Sequence, residues 1–449
     1  MNEFIQVPRS TCAGVVWPAL PDDESAQMLA LQYQFMQTQW WAAERLAGLQ
    51  LRQFNSVFAH ALATVPFYRE RFAPWRSGIA SWEQYRELPV STRREIQLAG
   101  DDMHSTAPPA AHGPLVTTQS TGSTASPLVT QGTTWTQIIW HALLLREHVW
   151  HGRDLRGKLA AIRSNTIDGG APDWGIATSA FVTGPSLVRS LSIDLDEQLR
   201  WLVVEDPDYV LALATNLRAL AVRSLELGIR LPRLKQARTY GEVLQPDARD
   251  IVRGAWGVEI VDSYSSEELG YIALQCPESD NYHVQSENLI VEVLDTDGRP
   301  CAPGETGQVV VSTLQNFAMP LLRYASGDFA EVGDLCVCGR GLPVLRRIAG
   351  RQRNMIVRPD GVRQWPVFPM SAWFDIAPVL QIQLVQDAID HVEARLVMKR
   401  DFAGDEAERL VAALQGCLNY PFRITLSRVD EIPRGAGQKY EDFVSLLAS

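Results

Sequence analysis

The sequence is poor in cysteine, in positive charge and in long apolar segments, and each shortage excludes a class of protein. Six cysteines in 449 residues are too few for a disulfide framework. The 41 basic residues are outnumbered by 52 acidic ones, giving a net charge of −11, which argues against a nucleic-acid or anionic-membrane binder. No uncharged apolar segment reaches about 18 residues, so we expect no membrane span. No basic segment precedes an apolar one at the N-terminus, so we expect a cytoplasmic protein without a secretory signal.

What the sequence does contain is an ordinary globular composition, with 46% hydrophobic and 21% charged residues, sufficient for a large buried core. Hydrophobic spacing predicts helices over about residues 1–80, at 209–227 and at 406–418. Short apolar segments at 159–162 and 258–261 predict buried strands. Because strands alternate with helices, we expect an α/β fold.

Two further strands are predicted at 289–294 and 307–311, with a turn between them, and they indicate a small antiparallel β subdomain. Near residue 350 the pattern changes, and strands and helices alternate again toward the end of the chain. We therefore predict a large N-terminal α/β domain of several subdomains over residues 1–352. A smaller α+β domain is predicted over residues 353–449.

The first segment that suggests chemistry is rich in hydroxyl groups and spans residues 117–127. A loop of small residues lets backbone N–H groups and hydroxyls approach an oligophosphate closely. It is not a Walker A motif, because no Gly-Lys-Ser or Gly-Lys-Thr ends it. By itself the segment is explained equally well as a polar surface loop.

The second segment, residues 262–270, follows a predicted strand. Ligands of α/β proteins bind at the carboxyl ends of strands. There Tyr264 could stack on a base, and Glu268 could hold Mg²⁺. The alternative is a helix start, with Ser265 or Ser266 as the N-cap and acids in the first turn.

Three shorter motifs lie further along the chain. Asp328 follows Gly327 in a predicted turn, where a carboxylate can accept both hydroxyls of a ribose. Arg351 and Arg353 belong to a basic segment that could equally be solvated. Lys439 is the only lysine of a loop of small residues near the end. A lysine there delivers a compact positive charge to a developing phosphate anion, although a solvated lysine is the simpler interpretation.

Four side chains of types that bind metals have the spacing of a possible zinc site. Cys276 precedes His283 by seven positions, and Cys336 and Cys338 form a Cys-x-Cys-Gly knuckle. Three thiolates and one imidazole suit a closed, tetrahedral, structural Zn²⁺. Such a site would join the segment after Glu268 to the segment after Asp328. The alternatives are reduced, unpaired cysteines, or Cys301 as the fourth ligand.

Taken together and in this order, the motifs resemble the adenylate-forming superfamily of acyl-CoA synthetases, nonribosomal adenylation domains and luciferases. Within it, the chain is most similar to the phenylacetate–CoA ligase-like branch. The resemblance extends from the helical N-terminal region to Lys439. It implies a mobile C-terminal lid over residues 353–449, and it supports the zinc cluster, since some members of the branch carry a similar one.

The resemblance also implies contacts with ATP. The β- and γ-phosphates would lie on Thr121, Gly122, Ser123 and Thr124. Two departures from the family pattern occur, Ala125-Ser126 in place of Gly-Lys and Glu267 in place of a threonine. The nucleoside contacts would be Gly241, Glu242, Tyr264, Ser265, Asp328 and Arg351, with Tyr264 stacked on adenine and Asp328 on the ribose hydroxyls.

The implied reaction joins a carboxylic acid, most simply an aromatic one, to coenzyme A through an acyl-adenylate, as in secondary metabolism. Glu268 would hold Mg²⁺, Lys439 would contact the substrate carboxylate and the α-phosphate, and Arg353 would be the hinge of the lid. An amine or a carrier-protein thiol is an alternative acceptor, and a non-catalytic zinc-containing scaffold is a further alternative. We expect no nucleic-acid or membrane partner, and homodimer formation stays open.

Overall fold

The computed structural model describes residues 7–119, 128–164, 166–366, 373, 376–434 and 440–447, the side chain of Gln352 excepted. Within these residues the helices are α1 (Asp23–Thr38), α2 (Ala43–Thr64), α3 (Pro66–Arg71), α4 (Trp82–Glu87), α5 (Arg93–Ala99), α6 (Thr134–Trp150), α7 (Leu195–Glu205), α8 (Ala214–Leu227), α9 (Pro246–Trp256) and α10 (Glu406–Leu418).

The strands of the described residues are β1 (Leu115–Gln119), β2 (Val129–Thr133), β3 (Leu159–Arg163), β4 (Gly169–Ala171), β5 (Ser186–Ser190), β6 (Tyr209–Leu213), β7 (Gln236–Tyr240), β8 (Ile260–Ser266), β9 (Gly270–Gln275), β10 (Tyr282–Val284), β11 (Leu289–Leu294), β12 (Thr306–Thr313), β13 (Tyr324–Val332), β14 (Val344–Arg351), β15 (Ile356–Val357), β16 (Arg363–Gln364), β17 (Val379–Ala388), β18 (His391–Met398), β19 (Arg423–Arg428) and β20 (Phe443–Ser445).

Twelve of these strands form one mixed sheet in the order β11-β12-β13-β14-β10-β9-β8-β7-β6-β3-β5-β4. Strands β5, β3, β6, β7 and β8 are parallel neighbours. From β8 to β11 every neighbouring pair is antiparallel. The antiparallel strands predicted near residues 285–350 are therefore present, and they continue the parallel sheet instead of forming a sheet of their own. The α/β fold is confirmed.

The prediction of a single helix at 209–227 is wrong for its first five residues. Tyr209–Leu213 is strand β6, with all five residues buried, and helix α8 begins only at Ala214. A central strand of a parallel sheet is buried on both faces, so its sequence is continuously apolar. Such a segment cannot be told from a buried helix by periodicity.

The helices predicted over about residues 1–80 are present in part, as α1, α2 and α3, whereas residues 7–22 form no helix. Helix α2 buries Phe54, Val57, Phe58 and Ala61 in a core that it shares with the antiparallel strands. Helix α3 begins at Pro66, where the missing N–H of proline needs no helical partner.

The C-terminal part has its own four-stranded sheet, in the order β19-β18-β17-β20. Helix α10 covers this sheet, and its buried Leu410, Leu414 and Leu418 share a core with Leu384 and Leu396. The helix predicted at 406–418 is confirmed. None of the helices that the structure describes is long and apolar enough to cross a membrane.

Candidate active site

A cleft lies where the carboxyl ends of the parallel strands face the C-terminal part of the chain. It encloses a cavity of about 200 Å³. Its walls come from the β7–α9 connection, the β8–β9 turn, strands β13 and β14, and the segment just before β20. Eight residues singled out by the sequence line this cavity, and they are Gly241, Glu242, Tyr264, Ser265, Glu268, Asp328, Arg351 and Arg353.

One wall is a hydrogen-bonded group built on three strands. Strand β13 pairs with β14 so that Asp328 lies opposite Arg351. The Tyr264 hydroxyl donates to Asp328 Oδ2 at 2.8 Å, and Arg351 Nε lies 3.3 Å from Asp328 Oδ1. Burial, with the neighbouring Asp328 carboxylate, raises the pKa of Tyr264 well above its usual value. The phenol therefore stays neutral and keeps its proton as a donor.

Glu268 occupies the turn between β8 and β9. The alternative of a helix start at Ser265 or Ser266 is wrong, because β8 extends through Ser266 and β9 begins at Gly270. The Glu268 side chain is only 6% exposed, and its carboxylate lies 3.7 Å from Arg93 Nη1. The Tyr324 hydroxyl lies 3.5 Å from the same carboxylate.

Arg93 is a site residue that the sequence analysis missed. It is the first residue of α5, which begins with a capping box between Thr92 and Glu95. That capping box could have been recognised as a helix start. Nothing in the local sequence indicates that the helix directs its first side chain toward Glu268, which lies in a distant segment.

Glu242 lies just after β7 and joins two parts of the molecule. Gly241 has a φ of +73°, which turns the chain at the strand end at little steric cost for glycine. Glu242 Oε2 accepts from the backbone N–H of Thr215 at 2.9 Å and from its hydroxyl at 2.7 Å. Glu242 Oε1 accepts from the backbone N–H of Tyr440 at 2.8 Å, and Arg434 Nη1 lies 3.7 Å away.

The C-terminal part closes the cleft through further polar contacts. Arg353 Nε donates to Glu441 Oε1 at 2.8 Å, and Gln245 Nε2 donates to Asp442 Oδ2 at 3.1 Å. Burial raises the pKa of Asp442 to about 6. Arg353, predicted as the hinge, thus lies at the point where the chain leaves β14.

Five of the predicted site residues lie outside the described residues. They are Thr121, Gly122, Ser123, Thr124 and Lys439. The strands on either side of the hydroxyl-rich segment, β1 and β2, are antiparallel, with Gln119 opposite Val129. The residues on either side of the lysine segment, Arg434 and Tyr440, both contact Glu242.

The cysteine and histidine side chains of the predicted zinc site meet in one place. The ligand atoms of Cys276, His283, Cys336 and Cys338 all lie within 4.8 Å of one another. The two sulfurs of Cys276 and Cys336 are 3.7 Å apart, and Cys338 Sγ is 3.2 Å from His283 Nε2. Bonds of about 2.3 Å from a tetrahedral zinc would place two sulfurs about 3.8 Å apart. The four side chains therefore fit zinc.

The protonation of two of these groups, His283 and Cys336, suits a metal, whereas burial raises the pKa of Cys276 to about 11, so this thiol would have to lose its proton to a bound metal. Burial lowers the pKa of His283 to about 4, so the imidazole is neutral near pH 7. Although burial opposes it, hydrogen bonding by Ser279 and by the backbone of Cys338 lowers the pKa of Cys336 to about 7. Metal ligation requires neutral histidine and thiolate cysteine. The alternative ligand Cys301 does not belong to the group.

The knuckle formed by Cys336 and Cys338 lies close to the N-terminal helices. The backbone N–H of Gly341 donates to Gln39 O at 2.8 Å. A Cβ at Gly341 would lie 1.7 Å from Trp41 O, so only glycine allows this approach. The Arg340 guanidinium lies over the rings of Trp40 and Trp150, at 4.8 and 4.6 Å from their centroids.

No known protein-family model matches the chain. Among curated proteins, it is 31% identical over 209 residues to the phenylacetate-coenzyme A ligase of Thermus thermophilus, a match that covers 45% of this chain and 43% of that protein. It is 25% identical over 352 residues to the Escherichia coli enzyme of the same name, covering 73% of this chain and 75% of the relative. The Thermus match thus spans less than half of that relative.

Solved structures show the same fold. A 2-hydroxyisobutyryl-CoA ligase in the postadenylation state, in complex with R3-HIB-AMP, aligns with a TM-score of 0.74 at 17% identity over 91% of each chain. An anthranilate CoA ligase in complex with anthranoyl-AMP aligns with a TM-score of 0.54 at 17% identity, over 72% of this chain and 64% of that one. The chain therefore has the fold of these two CoA ligases. The sequence is similar to the phenylacetate-coenzyme A ligases of Thermus thermophilus, Escherichia coli and Pseudomonas putida.

Proposed function

We propose that the protein is an AMP-forming ligase that activates a carboxylic acid with ATP and transfers the acyl group to coenzyme A. The observation that carries this proposal is the cleft in which Tyr264, Asp328 and Arg351 form one hydrogen-bonded wall and Glu268 faces the same cavity. The names of the relatives, which are acid–CoA ligases, support the same reaction.

The nucleoside is held by groups already in place. Asp328 accepts one hydrogen bond on Oδ2 and lies beside Arg351 at Oδ1, and a carboxylate has further lone pairs for the two ribose hydroxyls. Tyr264 is fixed by its hydroxyl, which orients its ring for stacking on adenine. The backbone of Gly241 and Glu242 lines the opposite side.

Charged residues would bind the phosphates and their magnesium ion. Glu268 is the residue that would hold Mg²⁺, and a bound magnesium would neutralise part of the triphosphate charge. Arg93, 3.7 Å from Glu268, adds positive charge beside the same region. Lys439 and the hydroxyl-rich segment are assigned by the family resemblance, with Lys439 next to the reacting carboxylate.

In the first step a carboxylate oxygen of the acid attacks the α-phosphorus, and the bond to the β-phosphate oxygen breaks. The products are an acyl-adenylate and pyrophosphate. In the second step the thiol sulfur of coenzyme A attacks the acyl carbon, AMP leaves with the electron pair of the C–O bond, and the thiol proton passes to solvent. Positioning and charge stabilisation account for the first step.

We further propose that residues 353–449 form a lid that turns about Arg353 between the two steps. The separate core of this part, formed around α10 and its four-stranded sheet, supports its movement as a unit. Its contacts with the remainder of the chain include the polar pairs Gln245–Asp442, Glu242–Tyr440 and Glu226–Lys399, which suit an interface that opens and closes.

The substrate is proposed to be an aromatic acid, because relatives of the chain are phenylacetate and anthranilate CoA ligases. The test is carboxylate-dependent ATP–pyrophosphate exchange with phenylacetate, benzoate, anthranilate, hexanoate and 2-hydroxyisobutyrate, followed by product analysis with coenzyme A or an amine as acceptor. We expect exchange with an aryl acid and a thioester only with coenzyme A. The absence of exchange with every acid would contradict adenylation.

Lys439→Ala should lower this exchange by at least about 1,000-fold, because the variant loses the charge next to the pentacovalent phosphorus. Its circular dichroism spectrum and melting temperature should match the wild type. Lys399→Ala, a change of a lysine outside the cleft that pairs with Glu226, is the matched control and should retain full exchange.

A further inference from the structure

Asp328 and Arg351 form one wall of the proposed ribose site, the ribose wall, and they lie where the sheet is irregular. On one side, the register between β13 and β14 shifts by one residue between Phe329 and Ala330. On the other side, the ladder between β12 and β13 shifts across the segment that contains Asp328. Such bulges re-aim side chains and interrupt the regular strand pairing. Contacts from outside the sheet therefore add to what holds this pair in place.

Trp365 supplies such contacts. Its indole N–H donates to the backbone oxygen of Arg351 at 3.1 Å. Its ring lies 4.9 Å from the ring of Phe329, centroid to centroid. A Cβ at Gly350 would lie 3.6 Å from Trp365 Cδ1, so the indole also lies close to this glycine. Trp365 thus touches both strands of the ribose wall, at the neighbour of Asp328 on β13 and at Arg351 itself on β14.

Trp365 is attached to the C-terminal part of the chain. It follows β16, which pairs with β15 so that Gln364 lies opposite Ile356. Ile356 is fully buried in the core around α10. Gln364 Nε2 donates to the backbone oxygen of Leu418, the last residue of that helix, at 2.9 Å. The short hairpin is therefore fixed to residues 353–449, while the indole that follows it contacts strands of the large sheet and lines the cavity.

From these contacts we infer that Trp365 is a positioning residue, through which the proposed lid holds the ribose wall in the form that binds ATP. The inference rests on the proposed function and deepens it. A turn of the lid about Arg353 moves the hairpin, and with it Trp365, away from Arg351 and Phe329. The same motion that admits coenzyme A then removes a support of the ribose wall. Trp365 accordingly acts on nucleotide binding for the first step and leaves acyl transfer unaffected.

The first test is titration calorimetry of the full-length protein with MgATP in the absence of a carboxylic acid. Trp365→Phe keeps a ring beside Phe329 and removes the N–H donor, whereas Trp365→Ala removes both. The Kd for MgATP should rise by about fivefold in the first variant, from the loss of one hydrogen bond. It should rise by about 30-fold in the second, where the aromatic contact is lost as well.

The same titration separates positioning from a merely structural role. If Trp365 only stabilised the fold, its replacement would lower the stoichiometry of binding and leave the Kd of the folded protein unchanged, and that result would overturn the inference. Trp256→Phe is the matched control, because it removes an indole N–H that donates to Ser224 Oγ at 3.1 Å, between α8 and α9. Its Kd should stay within about twofold of wild type, and an equal rise there would also contradict the inference.

The second test compares the two half-reactions, with phenylacetate or the acid of the panel that exchanges fastest. At low ATP, Trp365→Ala should slow ATP–pyrophosphate exchange by about the factor by which it weakens ATP binding, with a much smaller loss at saturating ATP. Thioester formation from saturating preformed acyl-adenylate and coenzyme A should stay within about twofold. Equal losses in both half-reactions would overturn the inference.

Hydrogen exchange of the nucleotide-free protein distinguishes this inference from the proposed function. Both Trp365 variants should exchange the backbone amides of residues 328–332 and 347–351 faster than wild type, by about fivefold in Trp365→Ala. Wild type that bound no ATP and exchanged with no acid would contradict the proposed function, while this comparison would still decide the role of Trp365. Unchanged exchange in both variants would overturn the inference, even for an active ligase. If Trp365→Ala does not fold, Trp365→Phe decides each test.

Discussion

The contact between Tyr264 and Asp328 joins two residues that the sequence assigned to different parts of the nucleotide. The phenolic hydroxyl donates to the carboxylate at 2.8 Å. The ring expected on adenine and the carboxylate expected on ribose therefore orient each other. A base and a ribose that bind at these two positions would meet a preformed surface, which lowers the conformational entropy lost on binding.

Tyr264→Phe should accordingly weaken ATP binding while keeping the aromatic ring. Removal of a donor to a carboxylate is expected to raise the KM for ATP by about 10-fold, with a much smaller change in kcat, because the hydroxyl donates to Asp328, which is assigned to the ribose. Steady-state kinetics with varied ATP measure both. Tyr209→Phe, which removes a hydroxyl that accepts from Asp154 N, is the control, and an equal rise in KM there would contradict the assignment.

The sequence predicted that certain residues would lie close together in the fold, but only residues that belong to a recognisable motif. Tyr264, Glu268, Asp328 and Arg351 do line one cavity, and their roles stay predictions. Arg93 and Thr215 were missed, because neither belongs to a pattern of ligand-binding residues. Each lies at a helix start whose direction is decided by packing between distant segments.

At the scale of single elements, strand pairing decides the secondary structure where it conflicts with the local preference of the sequence. Serines followed by two glutamates suggest a helix start, yet this segment ends β8, because β9 pairs with it from Tyr264 to Ser266. The strand Tyr209–Leu213 was hidden for a related reason, since burial on both faces removes its alternation. Helix α10 was predicted with correct ends, because it has one apolar face and one solvated face.

The knuckle formed by Cys336 and Cys338 is the element whose proposed role in binding zinc is most open to a direct test. Cys336→Ser should lower both the zinc content and the melting temperature, by about 5–10 °C, because a structural metal contributes folding free energy. Metal analysis of the purified protein and calorimetry measure the two. Cys12→Ser, at an exposed cysteine, should change neither. A metal-free wild-type protein of full stability would contradict the site.

At the scale of the whole molecule, the interface between residues 353–449, the proposed lid, and the remainder of the chain contains a buried acid. Asp442 bonds Gln245 and lies among Arg218, Glu242 and Asp247. Burial raises its pKa to about 6 from an ordinary value of 3.8. With the lid open, the carboxyl would be hydrated and its pKa would return toward 3.8, so the closed arrangement binds the proton more tightly.

The sign of the pH effect follows from this difference. Closure should be favoured as the pH falls from about 6 toward 4, and disfavoured as the pH rises through about 6. Small-angle X-ray scattering of the nucleotide-free protein between pH 4.5 and 7.5 should show a smaller radius of gyration at the acidic end. Asp442→Asn should flatten this dependence, and an unchanged pH profile in that variant would contradict the assignment to Asp442.

The long distance in sequence between the N-terminal helices and their packing partners has a consequence for biosynthesis. Helix α2 buries Phe54 and Phe58 against strands whose last core residue is Leu345, and Gln39 bonds Gly341. The ribosome must therefore synthesise the chain almost to residue 345 before the first helices can pack against these strands. Until then the part of their apolar faces that these strands cover stays exposed and open to aggregation. We expect nascent chains of this protein to be clients of a holding chaperone.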